Sequence, residues 1–246
     1  MKTYFIALTV AALSTVSCAA FAGNVVNIQQ VQTSTQPGNT ASIAQTGNTN
    51  EVDVVQTGDT NQVTAGQTGN GNLASLAQAG SGNSVSITEA GDTNQAFVAQ
   101  TGNSNTAGIS QQGSANYASI QQGIPATAKT AGVNGNSNQA SITQSGNNNS
   151  ASLNQYGNSN TSSIAQTGLS NTVTAGETGN LNQSLIGQNG NNDIVGLTQT
   201  ATASNTSVTQ TGSSDSAFVS QTGVDGHVAN IVQQGNGQSI TITQHD

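Results

Sequence analysis

The sequence predicts an all-β fold, a two-sheet parallel β-solenoid of about ten strand-turn-strand rungs. Three observations predict it. From Asn39 the chain repeats every eleven residues, and Asn39, Asn50, Asn61, Asn72, Asn83, Asn94, Asn105 and Asn116 mark successive starts. Inside each unit the side chains alternate with a period of two, as in Asn72-Leu73-Ala74-Ser75-Leu76-Ala77-Gln78-Ala79-Gly80. Asn, a small apolar residue, a large apolar residue and Gln hold the even offsets. That alternation describes a strand with one buried face. Last, Gly recurs at offset eight beside Asn, Asp or Ser, as in Gly58-Asp59 and Gly102-Asn103. Gly47, Gly58, Gly69 and Gly80 thus supply positive-φ positions at which a strand can turn.

Composition alone points elsewhere, since charged residues make up 5% of the chain and Gly, Asn, Gln, Ser and Thr dominate. Such a polar tract reads as disordered, but disorder gives no reason for apolar residues to stay in phase. Residues 1–22 have the features of a Sec signal peptide. Lys2 supplies the positive region, Tyr4 through Leu13 the apolar region, and Ala20-Phe21-Ala22 a small-x-small cleavage site. The expectation is export, a mature chain beginning at Gly23, and no part for the leader in the fold. Cys18, the single cysteine, would be the acylated residue of a lipoprotein, but Thr15 stands where such a signal takes Leu. Removal of Cys18 with the leader leaves no thiol chemistry, and no later apolar stretch is long enough to cross a membrane.

Residues 23–38 precede the regular repeats, and Asn24, Val26, Ile28 and Gln30 alternate there as a divergent strand would. Residues 39–246 carry the repeats. Two units make a rung of twenty-two residues, so alternate units should build different sheets. In the set beginning at Asn50, offset four is always large: Val54, Leu76, Val98, Ile120, Ile142, Ile164, Ile186 and Val208. In the other set Ala65, Ala131 and Ala175 recur there, and Val63 and Val173 restore volume two residues earlier. Ile124-Pro125 and Lys129 to Val133 break the pattern, although Asn116 to Ser137 still spans two periods, a rung degenerate in sequence but kept in length. Gly226 adds one residue before the pattern resumes at His227.

The inward amides are costly unless paired, because burying an amide without partners costs a few kcal/mol. Stacked in register they satisfy one another along the whole solenoid. The Gln ladder is read at Gln45, Gln56, Gln67, Gln78, Gln100, Gln111, Gln144, Gln155, Gln166 and Gln188. The Asn ladder is read at Asn39, Asn50, Asn61, Asn72, Asn83, Asn94, Asn105, Asn138, Asn149 and Asn160. Both enforce register, since a one-residue slip would move every amide and aliphatic to the wrong face. Glu89 and Glu177 replace Gln at offset six and interrupt this ladder. Because both belong to the same alternate set, they should face the same ladder. They are candidate gatekeepers that slow assembly, with protonation restoring the missing donor. The plainer reading places them near a strand end in reach of water.

Without its leader the chain keeps one cation, Lys129, against Glu51, Asp53, Asp59, Glu89, Asp92, Glu177, Asp193, Asp215, Asp225 and Asp246. Phosphate recognition needs clustered Lys and Arg, so nucleic acid is not an expected partner. The acids mostly occupy separate repeats, which suits solubility better than a site. No arrangement of residues points to catalysis, a cofactor or a metal: His227 and His245 are too few, and the glycines fall at turns instead of in one phosphate loop. Phe97 and Phe218 take outward offsets suited to side-by-side packing.

At these residues the chain resembles the curlin family, the repeat subunits of curli, secreted amyloid fibres of bacterial surfaces. The matching pattern is Ser/Asn-x5-Gln-x-Gly-x-x-Asn-x-Ala-x3-Gln, seen here as Asn39 to Gln45, Gly47, Asn50, Val52 and Gln56, and it recurs over nearly the whole mature chain. The resemblance implies secretion through a dedicated outer-membrane channel, a nucleator subunit, assembly outside the cell into a homopolymer, and a role in adhesion and biofilm matrix. It also makes Gly23 to Gly38 similar to the family's N-terminal targeting segment. The chain departs from the family in having about twenty units and in starting most of them with Asn instead of Ser.

Ser239-Ile240-Thr241-Ile242-Thr243 lies close to the C-terminus, so Ile240, Ile242 and Gln244 are expected to form a polymer end that recruits the next subunit. The alternative function is a monomeric secreted solenoid that binds ice or a glycan surface. It would use Thr46, Thr57, Thr68, Thr101, Thr167, Thr178, Thr211 and Thr222, all at offset seven. That offset lies beside the turn, where a flat array is harder to build.

Overall fold

The computed structural model of the chain describes residues 5–6, 15–19, 23–33, 37–123, 135–224 and 226–246. In chain order its strands are β1 (Phe5–Ile6), β2 (Thr15–Ala19), β3 (Val25–Val31), β4 (Thr40–Asn48), β5 (Glu51–Asp59), β6 (Gln62–Asn70), β7 (Leu73–Ser81), β8 (Ser84–Ala90), β9 (Gln95–Asn103), β10 (Thr106–Gln112), β11 (Tyr117–Gln122), β12 (Gln139–Asn147), β13 (Ser150–Tyr156), β14 (Thr161–Leu169), β15 (Thr172–Thr178), β16 (Gln183–Asn191), β17 (Ile194–Thr200), β18 (Asn205–Ser213), β19 (Ser216–Thr222), β20 (Val228–Asn236) and β21 (Ser239–His245). Odd-numbered strands form one sheet and even-numbered strands the other. The chain changes sheet at every turn and every neighbouring pair is parallel, as in β5 on β7 and β4 on β6. This is a two-sheet parallel β-solenoid, and β3 to β21 make nineteen strands, about nine turns.

Register follows the unit offsets. Val54 lies beside Leu76, Gln56 beside Gln78 and Gly58 beside Gly80, so like stacks on like. Even offsets point inward: Val52, Val54, Leu76 and Leu153 from the first sheet meet Ile43, Ile87, Ile109 and Ile142 from the second in one continuous core. That core is one side chain thick per sheet. Val63 with Ala65 and Val173 with Ala175 fill their layers in the reverse size order, and all four are buried.

The pairing departs from sequence expectation at one rung. Partners are 33 residues apart across β10 and β12, where Ile109 meets Ile142, and across β11 and β13, where Ile120 meets Leu153. The pairing passes over one eleven-residue unit, and among the described residues of 116–137 the one strand is β11. Gly135 takes the turn position after β11, with its amide bonded to the Thr101 carbonyl at 2.9 Å. The physical reason is legible in the sequence. Continued in phase, the unit would place Lys129 at an inward offset among aliphatics, put Val133 at the Gln position, and set Pro125, which lacks an N–H, beside the turn. Residues 124–134, including Pro125, Lys129 and Ala131, lie outside the described residues.

This skip exchanges the sheets. Val54, Leu76, Val98 and Ile120 belong to the first sheet, whereas Ile142, Ile164, Ile186 and Val208, of the same alternate set, belong to the second. The expectation that each set keeps one sheet throughout is therefore corrected.

Departures at the two ends are smaller. Within residues 23–38, β3 is a full strand whose Val26 and Ile28 are buried and pair beside Val52 and Val54, 26 residues on. In the uncleaved chain β1 and β2 pair with β3 and β4, so the leader is not separate from the sheets as expected. An unpaired parallel edge offers N–H and C=O groups to any extended segment nearby. The expected cleavage site at Ala20-Phe21-Ala22 lies outside the described residues. After Gly226 the pairing distance becomes 23, and Val208 still meets Ile231.

Candidate functional site

The inward amides form continuous hydrogen-bonded rows because a parallel register places identical side chains one strand apart, at ~4.8 Å. In the first sheet Gln56 Nε2 donates to Gln78 Oε1 at 2.8 Å, Gln78 to Gln100 at 2.9 Å, Gln100 to Gln122 at 2.8 Å and Gln122 to Gln155 at 3.0 Å. In the second sheet Gln45 donates to Gln67 at 2.8 Å, Gln111 to Gln144 at 2.8 Å, Gln144 to Gln166 at 2.7 Å and Gln166 to Gln188 at 2.9 Å. Every donation runs toward the higher residue number. The other N–H of each amide crosses the core, as from Gln56 to the Thr40 carbonyl at 3.1 Å and from Gln67 to the Glu51 carbonyl at 3.0 Å. One side chain therefore ties successive rungs and opposite sheets together. Gln30, Gln199, Gln210, Gln221 and Gln233 hold the same buried offset and extend the rows.

The Asn rows run the other way. Asn61 Nδ2 and backbone N–H both donate to Asn39 Oδ1, at 3.1 and 3.0 Å, and Asn72 repeats this on Asn50. The second Nδ2 hydrogen reaches a turn carbonyl of the opposite sheet, Asn50 to Gly69 and Asn83 to Gly102. Across the passed-over unit the rows continue: Asn138 N–H meets Asn105 Oδ1, and Asn149 N–H meets Asn116 Oδ1. Asn94 and Asn160 are equally buried. A third row, exposed at offset nine, binds one turn to the next. Asn48 N–H donates to Asn70 Oδ1, Asn70 N–H to Asp92 Oδ1, and Asn136 N–H to Asn158 Oδ1. Sequence reasoning treats these residues only as turn formers, although their recurrence at one offset is the signal of a ladder.

The turn glycines do more than supply φ. Gly47, Gly58, Gly69 and Gly80 have φ of 105 to 122°, and each faces the backbone carbonyl of the next rung's glycine so closely that no Cβ fits.

Two buried carboxylates interrupt the Gln rows, and they lie in different sheets. Glu89 is on β8 and Glu177 on β15, because the skipped unit lies between them. They do not reach water at a strand end: they are 1% and 0% exposed. Glu89 Oε2 accepts from Gln67 Nε2 at 2.7 Å, whereas its Oε1 and the following Gln111 Oε1 have no partner. A carboxylate cannot donate, so the row breaks there. Burial pushes the Glu89 carboxyl up to about 8, against the opposing effect of the Gln67 bond.

Glu177 is better furnished. Its oxygens accept from Gln155 Nε2 and from the Ser162 hydroxyl, an inward Ser on β14 where earlier rungs carry Ala or Val. Burial still raises its pKa, with those donors working the other way, and the next amide oxygen, Gln199 Oε1, is unpaired. Ser162→Ala is expected to cost about 1–3 kcal/mol in the anionic form. Its urea midpoint should then fall more steeply than the wild type's between about pH 5 and 9; parallel curves would show that the hydroxyl does not support the anion.

The remaining sequence-singled residues are peripheral. Ile240 and Ile242 on the outermost strand β21 are half-buried, and Gln244 Oε1 accepts from Gln221 at 2.8 Å. Phe218 is exposed and lies over Gly196, and Phe97 packs on Tyr117 with centroids 5.5 Å apart. The offset-seven Thr side chains face outward beside the turns. His227 Nε2 lies 3.5 Å from Asp246 Oδ1. Asp193 and Asp215, expected to aid solubility, are instead fully buried at Asn-row positions. Among the described residues no group of three His, Cys, Asp or Glu is placed to hold a metal, and no helix is long and apolar enough to cross a membrane.

Fold and site together define a repeat solenoid whose buried chemistry is devoted to stacking one rung on the next. Four stretches, residues 37–69, 58–89, 91–123 and 135–168, match the curlin associated repeat. The chain belongs to the curlin family and is a curli-type structural protein. The interval between the third and fourth matches, residues 124–134, falls where sheet partners become 33 residues apart. No curated protein matches the chain significantly.

Proposed function

We propose that the chain is the subunit of an extracellular functional amyloid fibre of the curli type, adding head to tail and serving cell adhesion and biofilm matrix. The observation that supports this reading is the polarity of the Gln rows. At the low-numbered end Gln30 Oε1 and Gln45 Oε1 are buried acceptors without a partner among the described residues. At the other end Gln233 and Gln244 donate across the core to the Ser216 and Val228 carbonyls, both at 3.0 Å. Each keeps the N–H that other members of its row give to the next rung. A donor end and an acceptor end of one register complement each other, and outermost strands β20 and β21 offer the backbone groups beside them. In this reading Ile240, Ile242 and Gln244 meet a second copy, and each subunit lengthens the fibre by roughly 45 Å, about nine rungs at ~4.8 Å.

The same reading takes residues 1–22 as an export leader, 23–38 as a targeting segment that also forms the first strand, and a nucleator and an outer-membrane channel as partners. Purified protein lacking the leader, released from denaturant, should grow fibres that seeds accelerate and that diffract at ~4.8 Å along the axis. A folded monomer that stays soluble with seeds present would sink the proposal and favour a surface-binding solenoid.

A further inference from the structure

In the first sheet the Asn row ends in two acids. Asn171 is followed at successive rungs by Asp193 and Asp215, both 0% exposed, and then by Gln238. One oxygen of each acid does what an Asn oxygen does: Asp193 Oδ1 accepts the Asp215 N–H at 3.0 Å, and Asp215 Oδ1 accepts the Gln238 N–H at 2.8 Å. The other oxygen stands where Asn has its Nδ2. Asn171 Nδ2 donates to the Gly190 carbonyl at 2.9 Å, and the corresponding carbonyl for Asp193 is that of Gly212. Two acceptors face each other there, and Asp193 Oδ2 and Asp215 Oδ2 are both buried without a partner.

We propose that Asp193 and Asp215 form a proton-binding pair in the core, with Asp193 held as the neutral acid whose Oδ2–H donates to the Gly212 carbonyl. A proton at that oxygen replaces the missing amide hydrogen without moving an atom of the row. It also relieves the repulsion between two carboxylates one strand spacing, ~4.8 Å, apart in a weakly polarisable interior. No other charge offsets the pair: the ends of β16, β18 and β20 that pack on it present Asn191, Ser213 and Asn236, and no Lys or Arg occurs among the described residues. Burial first, and the Asp215 charge in addition, raise the Asp193 carboxyl, opposed by the Asp215 amide.

The linkage has a definite sign. An aspartate free in the unfolded chain ionises near 3.9, so closing these rungs above that pH takes up a proton. The pair's contribution is complete below the free-chain value and is lost as pH rises through the higher folded value. The rungs from β17 to β21 therefore loosen with rising pH while rungs without a buried carboxylate do not, a local acid-favoured closure independent of fibre growth.

The test is infrared spectroscopy of the full chain labelled with carboxyl-¹³C aspartate, at about pH 5.5, where solvent-facing aspartates are ionised. Wild type should show a carboxylic acid band that disappears in Asp193→Asn, a variant whose new side chain is the row's ordinary member. In Asp215→Asn the band should persist but titrate at lower pH, because the neighbouring charge is gone. Absence of the band in wild type, its survival in Asp193→Asn, or an Asp215→Asn titration identical to wild type would each overturn the pair. Hydrogen exchange gives a second readout. With Glu89→Gln and Glu177→Gln in place to remove the other buried carboxylates, protection of β17 to β21 relative to β5 to β9 should fall about tenfold or more from pH 5 to 8 and stay level when Asp193→Asn is added; equal pH dependence with and without Asp193→Asn overturns the proposal.

Discussion

Gly69→Ala is expected to lose about 3 kcal/mol or more of stability, whereas Gly66→Ala, three residues away on the same strand, should be neutral or gain about 0.4–1 kcal/mol. A Cβ on Gly69 would stand 1.9 Å from the Gly91 carbonyl oxygen and 2.7 Å from its carbon, at a φ of +120° that L residues rarely adopt. Relief by a local shift is blocked, because Gly47 already stands against Gly69 in the same way and Gly91 against Gly113. Moving one turn outward would stretch the amide rows on both sides of it. Gly66 faces outward from β6, and a Cβ there meets nothing within 4 Å. With typical domain stabilities of about 5–15 kcal/mol, the first change is a large fraction of the whole. Urea unfolding of the two variants provides the comparison, and equal midpoints would refute the view that the turns are stacked to contact distance.

The architecture was largely open to sequence reasoning because its cause is local and repeated. A period of two inside a period of eleven leaves few ways to bury Val54, Leu76 and Ile142 while pairing Gln56 with Gln78. What the sequence hid was bookkeeping over distance. Residues 116–137 preserve length, and length alone cannot say whether a unit joins the sheets or is passed over. That was decided by the energetics of placing Lys129 and Val133 at inward positions, and it moved every later unit to the opposite sheet. The separation of Glu89 from Glu177 follows from that single event.

Neighbours across the core were also invisible in one unit read at a time. Ser162 at an inward offset looks like a weak Ala substitute until Glu177 is found opposite it. Asp193 and Asp215 look like scattered surface acids until the register stacks them. Thr49, Thr60 and Ser104 precede inward Asn residues with φ near 57°, a conformation sequence propensity assigns to Gly or Asn. Rung-to-rung backbone bonds at these turns, such as Thr60 N–H to the Pro37 carbonyl, hold it.

Glu89→Gln is expected to abolish most of the pH dependence of stability and to shorten the lag of assembly at alkaline pH. In wild type the Glu89 carboxyl titrates at about 8 when folded, against 4.5 in its ordinary state. The folded protein thus holds a proton that the unfolded chain releases between those values. Stability is greatest below 4.5, declines as pH rises, and levels off above 8. At about 1.4 kcal/mol per unit, the decline is on the order of a few kcal/mol. The neutral acid can donate to Gln111 Oε1 and close the row, and the anion leaves that oxygen and its own Oε1 unpaired. Gln at position 89 supplies the donor at every pH. Variant and wild type should therefore nearly coincide at pH 5 and separate by those few kcal/mol at pH 9. Glu177→Gln should change less, because Ser162 and Gln155 already donate to that carboxylate. Urea unfolding at pH 5, 7 and 9 measures the stability, and a Glu89→Gln curve parallel to wild type would show that Glu89 carries no buried titration. If stability responds but the lag of the Glu89→Gln, Glu177→Gln double variant is unchanged across pH, the carboxylates tune the fold without gating growth.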